Sequence, residues 1–169
     1  LFIKYKNDEQ KSVEKNIPEE PVSNYNTNVI ENVNYTSIDA EGNEYKIHAL
    51  TGEIDTSNSE VLFLKKVTAL IKLKNLEEIA ISSDYGKYNA NNFDTIFSKN
   101  VLITYLDNKI TGEYLDLSLE RNSMIISRNV IYKNLNTTLK SDVIEVNIKT
   151  KNTKIFMYEN NKKVNIEIK

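Results

Sequence analysis

No cysteine occurs in the sequence, which rules out disulfide scaffolds, thiolate metal sites and cysteine nucleophiles. There is one histidine. His48 falls in the polar phase of the alternating stretch Tyr45 to Ala49, so a surface side chain is expected there, and no soft-metal site can be assembled around it. The four glycines, Gly42, Gly52, Gly86 and Gly112, stand alone and open no helix, so they do not form a phosphate-cradling loop. A formal net charge of −2 gives no electrostatic reason to expect a nucleic-acid partner. Both prolines, Pro18 and Pro21, precede residue 29, and beyond it none interrupts the chain. Acidic residues are plentiful, but Glu19-Glu20 lies in a polar stretch, Glu77-Glu78 flanks a turn, and Glu41, Glu53 and Glu113 stand beside glycines read as turn residues. These positions suit a solvated edge better than a tuned acid and base pair. No catalytic chemistry, metal or cofactor is expected.

What remains is a chain of 169 residues, 40% hydrophobic and 27% charged, which suits one globular domain with a tail. Leu1-Phe2-Ile3 runs straight into Lys4-Tyr5-Lys6. Residues 1–6 read either as an arbitrary boundary or as the end of a transmembrane helix whose Tyr and Lys sit at the interface; three apolar residues against the roughly 20 needed for a span do not decide. Residues 7–28 are polar and without period, an expected linker. From residue 29 the pattern is strand-like alternation. Val67, Ala69, Ile71 and Leu73 form one apolar phase, and Ile79 and Ile81 another after a turn at Lys74-Asn75. Val101, Ile103 and Tyr105 follow, then Leu115, Leu117 and Leu119, Val130 and Tyr132, Ile144, Val146 and Ile148, and Val164, Ile166 and Ile168. Turn residues at Glu41-Gly42-Asn43, Asp107-Asn108-Lys109, Asn134 to Asn136 and Asn160-Asn161-Lys162 leave no room for crossover helices. The expected class is all-β and antiparallel.

A motif recurs through this region. Phe97-Ser98-Lys99-Asn100-Val101 is repeated as Ile126-Ser127-Arg128-Asn129-Val130, with a looser copy at Phe63-Leu64-Lys65-Lys66-Val67. The closing valines are 34 and 29 residues apart. Ahead of each copy stands a glycine element: Gly52-Glu53-Ile54-Asp55, Gly86-Lys87-Tyr88-Asn89, and Gly112-Glu113-Tyr114-Leu115-Asp116 with one residue inserted. Such periodicity indicates stacked strand pairs, each too small to bury its own apolar face. A bend or bulge at Lys99-Asn100 and Arg128-Asn129 would change which side chains point inward.

Several short runs also carry a family resemblance. Asn32-Val33-Asn34-Tyr35-Thr36-Ser37, Asp39-Ala40-Glu41-Gly42-Asn43, Gly52-Glu53-Ile54-Asp55, Asn100-Val101, Asp107-Asn108-Lys109-Ile110-Thr111-Gly112-Glu113, Thr150-Lys151 and Lys154-Ile155-Phe156-Met157 together resemble the LptC family, most of all its alphaproteobacterial branch. The resemblance extends over residues 29–169. It implies a twisted, open β-jellyroll whose two sheets form a V-shaped trough in the periplasm, related to LptA and other OstA-like domains, with a single-pass helix in the inner membrane.

The implied role is a non-enzymatic lipopolysaccharide conduit that receives lipid from the inner-membrane ABC extractor, LptBFG, and passes it to an LptA-like periplasmic jellyroll. Expected trough-lining residues are Ile71, Ile79, Ile81, Val101, Ile103, Tyr105, Leu115, Leu117, Val130, Tyr132, Ile144, Val146 and Phe156. Val164, Ile166 and Ile168 are expected to form a terminal edge strand that meets the partner. A protein-only adaptor acting through sheet edges and a carbohydrate-active β-protein are the alternatives.

Overall fold

The structure is a computed structural model that describes residues 28–74 and 77–168. The expected transmembrane remnant at 1–6 and linker residues 7–27 lie outside the described residues. The alternating runs form ten strands: β1 (Val29–Ile38), β2 (Glu44–Ile54), β3 (Val61–Lys72), β4 (Glu78–Asn89), β5 (Thr95–Tyr105), β6 (Asn108–Ser118), β7 (Ser123–Lys133), β8 (Thr137–Asn147), β9 (Thr153–Phe156) and β10 (Asn165–Ile168). Each of the first eight pairs antiparallel with the next in sequence. On the far side of β8, β9 covers its C-terminal half and β10 its N-terminal half, so the two short strands together occupy one place in the sheet. The sheet is open, with β1 at one edge and β9 and β10 at the other.

A single sheet of this size must curl to bury its apolar face, and the sequence supplies a crease in every long strand. At the middle of β2, β4 and β6, two successive residues turn outward between buried ones: Leu50-Thr51 between Ala49 and Gly52, Asp84-Tyr85 between Ser83 and Gly86, Glu113-Tyr114 between Gly112 and Leu115; on β8 Asp142-Val143 takes the same place between Ser141 and Ile144, with Val143 nonetheless buried. The inward phase therefore changes parity across the crease. On β5 and β7 an extra residue is inserted instead, seen as register shifts between Ser98 and Val101 and between Ser127 and Val130. Lys99, Asn100, Arg128 and Asn129 carry these bulges in the left-handed region, with φ of 61°, 52°, 67° and 55°. Asn accepts that conformation better than most residues, and the outward position keeps the basic side chains in water. The expectation of a bulge at Lys99-Asn100 and Arg128-Asn129 is met, but its effect is the reverse of a phase change. The extra residue restores the parity that the other strands lose.

The repeated motif is thus the crease itself. In its loose copy a lone left-handed residue, Lys66 (φ 53°), makes the bend without a register shift, and Leu64 rather than Phe63 occupies the buried place of Phe97 and Ile126.

Folding along the crease lays one half of the sheet over the other. Tyr35 of the first layer stacks against Tyr88 of the second with ring centroids 5.2 Å apart, and against Phe93 at 6.1 Å. The layers can close this tightly because glycine lies beneath the fold. A Cβ on Gly112 would stand 2.8 Å from Ile126 Cγ1, and one on Gly52 2.8 Å from Val33 Cγ2. Gly52, Gly86 and Gly112 are accordingly mid-strand close-approach residues, whereas the sequence reading had placed Gly52 and Gly112 at turns. Gly112 also lies on the opposite side of the crease from the other two, pairing Val101 while Gly52 and Gly86 flank Leu64. Only Gly42 sits in a turn, with φ 87°. Its loop is held by Asp39, whose carboxylate accepts hydrogen bonds from the Glu41 and Asn43 amides at 2.9 Å each and from the Tyr45 hydroxyl at 3.1 Å.

Candidate functional site

The register lines up apolar side chains in continuous rows on the inner face. In the first layer one row passes through Tyr35, Ile47, Ala69, Ile81, Ile103, Ile110, Tyr132, Leu139 and Ile166, crossing from the β1 edge to β10 without a polar side chain in between. In the second layer the row beside the crease runs Ile30, Gly52, Leu64, Gly86, Phe97, Leu115, Ile126, Ile144 and Ile155. Burying a Leu, Ile or Phe side chain contributes about 1.5–3 kcal/mol, so these rows hold the two layers of the fold together.

Most expected lining residues fall on this face. Ile71, Ile81, Val101, Ile103, Leu115, Leu117, Val130 and Ile144 are buried in the shared core, and Ile79, Tyr132 and Val146 pack against it half-buried. Tyr105 lies half-buried at the tip of β5. Phe156 departs: it pairs with Val143, whose neighbour across β7 is Ser127 on the outer face, and Ile155 takes the inward place instead. The slip arose because the β9 run, Lys154-Ile155-Phe156-Met157, has consecutive apolar residues and no alternation to set its phase. Phe97 and Ile126 were within reach of sequence reasoning as the leading apolar positions of the motif, whereas in the loose copy that position is Phe63 and Leu64 is the one buried. Leu139, flanked by Thr138 and Lys140, gave no such signal.

The layers separate toward their turn ends. Near the β1 end, the cleft between them is lined by Tyr35, Ile47, Ala69, Tyr88, Phe93 and Leu117 and leaves only ≈ 20 Å³ free. It opens into a mouth of ≈ 930 Å³ bounded by the β1–β2 and β3–β4 turns on one side and by the β4–β5, β6–β7 and β8–β9 turns on the other. Each rim is stitched within its own layer. The Lys74 amide donates to Asn43 Oδ1 at 2.8 Å on the first; on the second, the Ile148 amide donates to the Asn122 carbonyl at 2.8 Å and Arg121 pairs with Asp116 at 3.1 Å. Among the described residues the ion pair that joins the rims is Glu41 to Lys149, 3.6 Å apart and well exposed at both ends. Exposed pairs of this kind contribute about 0–1 kcal/mol, so little electrostatic work is needed to part the layers there.

The far end of the first layer is more open still. Leu106 and Leu135 project from the β5–β6 and β7–β8 turns, and Ile166 and Ile168 carry the inward phase to the free edge at 56% and 79% exposure. Val164 is half-buried against the core. His48 is exposed and shares a 3.0 Å hydrogen bond with Asn34 on the outer face. Among the described residues no group of His, Asp or Glu has the arrangement of a metal site, and no helix is long and apolar enough to cross a membrane.

Comparison with curated protein sequences gave no match. Among solved structures, the chain is similar to LptH, the LptA-homologous periplasmic component of the lipopolysaccharide transport device of Pseudomonas aeruginosa. The TM-score is 0.55 and the identity 8%, over 74% of this chain and 94% of that one; at that identity the likeness shows the fold, an open β-jellyroll. The sequence itself matches the family described as lipopolysaccharide-assembly, LptC-related, over residues 1–158. The family match spans most of the chain, and the chain therefore belongs to the LptC-related family of lipopolysaccharide-assembly proteins.

Proposed function

We propose that the domain works in the periplasm as one segment of a lipopolysaccharide bridge, taking lipid from the LptBFG extractor in the inner membrane and delivering it to an LptA-like jellyroll beyond its C-terminal edge. The observation that supports this most is the unbroken apolar row from Tyr35 to Ile166, which among the described residues reaches a free strand edge at each end. Each exposed CH₂ costs about 0.8 kcal/mol in water, so a lipid with several acyl chains crosses an aqueous space only along such a continuous surface. The expected lining residues other than Phe156 are assigned to this path, with Ile155 in its place. The N-terminal segment is taken as the inner-membrane anchor.

For the hand-off, β10 is the proposed docking strand. Its side chains are all exposed, among the described residues one of its edges is unpaired, and an added strand there would extend the inner face from Ile166 and Ile168 into the partner. Benzoylphenylalanine at position 166 is expected to crosslink to a purified LptA-like jellyroll on illumination, while deletion of residues 165–169 leaves a folded domain that binds lipopolysaccharide and fails to pass it on. Unimpaired transfer by the truncated chain would refute the assignment. Truncation starts after Val164 because that side chain packs on the core.

A further inference from the structure

The narrow cleft at the β1 end contains one polar group that the fold leaves unused. Tyr88 is 5% exposed, and its hydroxyl is sealed from solvent without a hydrogen-bond partner among the described residues. Buried hydroxyls are almost always paired, because desolvating one without compensation is costly, so an orphan of this kind marks a place where something else supplies the partner. The surroundings offer little. Tyr35 is in ring contact at 5.2 Å between centroids and its hydroxyl lies near enough to act on the Tyr88 phenol, yet the two do not close a well-formed hydrogen bond, and Thr95 Oγ1 is committed to the Phe93 carbonyl at 3.2 Å. The rest of the cleft wall is almost wholly apolar, and its free space of ≈ 20 Å³ opens into the mouth through Tyr45, Phe93 and Leu119, which border both.

Resting on the lipid-conduit reading above, we propose that Tyr88 is the polar anchor of an acyl subsite, donating a hydrogen bond to the ester or amide carbonyl through which a fatty acyl chain is joined to its headgroup. The ligand class follows from the geometry: a single acceptor attached to hydrocarbon matches a single donor in an apolar wall, and the wide polar mouth beyond accommodates the headgroup. Burial, and after it the neighbouring Tyr35 hydroxyl, push the Tyr88 phenol far above the ordinary tyrosine range, which keeps it protonated as a donor. Tyr35, whose ring lies tilted against both Tyr88 and Phe93, closes the cleft when no chain is inserted, and the three rings supply aromatic surface to one that is.

The test pairs a lysophosphatidylcholine carrying an ester-linked chain with its ether-linked counterpart, which lacks the carbonyl, each titrated as monomer against the full chain. The parent protein is expected to favour the ester by roughly two- to tenfold, the range for one neutral hydrogen bond. Tyr88→Phe is expected to bind both alike, with an unfolding midpoint unchanged or raised because the unpaired hydroxyl is gone. Tyr35→Phe is expected to retain the preference. A lowered midpoint in Tyr88→Phe would mean that the hydroxyl has a structural partner and would overturn the proposal, as would absence of an ester preference in the parent or its survival in Tyr88→Phe. Retention of purified lipopolysaccharide by the parent in native mass spectrometry is measured alongside. If lipopolysaccharide binds while the ester preference is absent, the anchor alone falls; if it does not bind, the conduit reading falls.

Discussion

Gly112→Ala asks whether the sheet is folded over as tightly as the crease geometry requires. The added Cβ would stand 2.8 Å from Ile126 Cγ1, 3.1 Å from its Cδ1 and 3.2 Å from the Ser127 carbonyl oxygen. Ile126 is 1% exposed and pairs Leu115 and Ile144 on either side, so it cannot swing aside without disturbing its neighbours. Overpacking of this size costs about 1–3 kcal/mol, offset by about 0.4–1 kcal/mol from the lower entropy of alanine in the unfolded chain. A net loss of about 1–2 kcal/mol is expected, which in a domain of this size lowers the thermal midpoint by roughly 2–8 °C. Chemical denaturation with a double-mutant cycle isolates the contact. Ile126→Ala alone should cost about 2–5 kcal/mol, and in the double variant the two losses should fall short of additivity by about 1 kcal/mol, because the truncated side chain makes room for the new methyl group. Strict additivity, or a single Gly112→Ala variant as stable as the parent, would refute the close approach at the crease.

Charge placed on the inner face should separate folding from lipid binding according to depth. Ile103→Asp puts an unpaired carboxylate where the parent side chain is 3% exposed and is expected to unfold the domain, while Val146→Asp, at a half-buried position, should stay folded and lose lipopolysaccharide retention in native mass spectrometry. Acid sensitivity should be concentrated in a few aspartates. Hydrogen bonds and charge from Lys66, with a further bond from Asn100, lower the pKa of Asp84 from its ordinary 3.8; burial alone would raise Asp39, but bonds from Asn43, Tyr45 and the Glu41 amide outweigh it and lower it too. Groups with lowered folded pKa contribute stability that is complete above the unfolded value and lost as pH falls through the folded one. Urea midpoints are therefore expected to be level above about pH 5 and to fall below about pH 4, with a shallower fall in Asp84→Asn; an identical acid profile in that variant would contradict the assignment.

Alternation within each half-strand was plain in the sequence, and it located the strands, the turns and the all-β class, because one face of every strand is buried and the other wet. The tandem motif was equally plain, but its meaning was not. A bend or bulge could be read at Lys99-Asn100 and Arg128-Asn129, but only pairing with β4, β6 and β8 shows that the extra residue keeps the inward phase instead of changing it. Gly52 and Gly112 misled. Glycine marks either a positive φ or a close approach, and sequence alone does not distinguish the two. The inner face could be read where runs such as Leu115-Asp116-Leu117 alternate, and was lost where Ile155 and Phe156 adjoin. Tyr88 carried no signal, because its significance lies in a missing partner, a property of three-dimensional surroundings.

The most direct test of the trough is to place benzoylphenylalanine, one position at a time, at the half-buried inward aromatics Tyr105 and Tyr132 and at the outward Phe63, then illuminate each purified variant with lipopolysaccharide. Crosslinked lipid at 105 and 132 with none at 63 is the expected result. Equal crosslinking at all three positions, or crosslinking at 63 alone, would contradict passage of lipid between the layers.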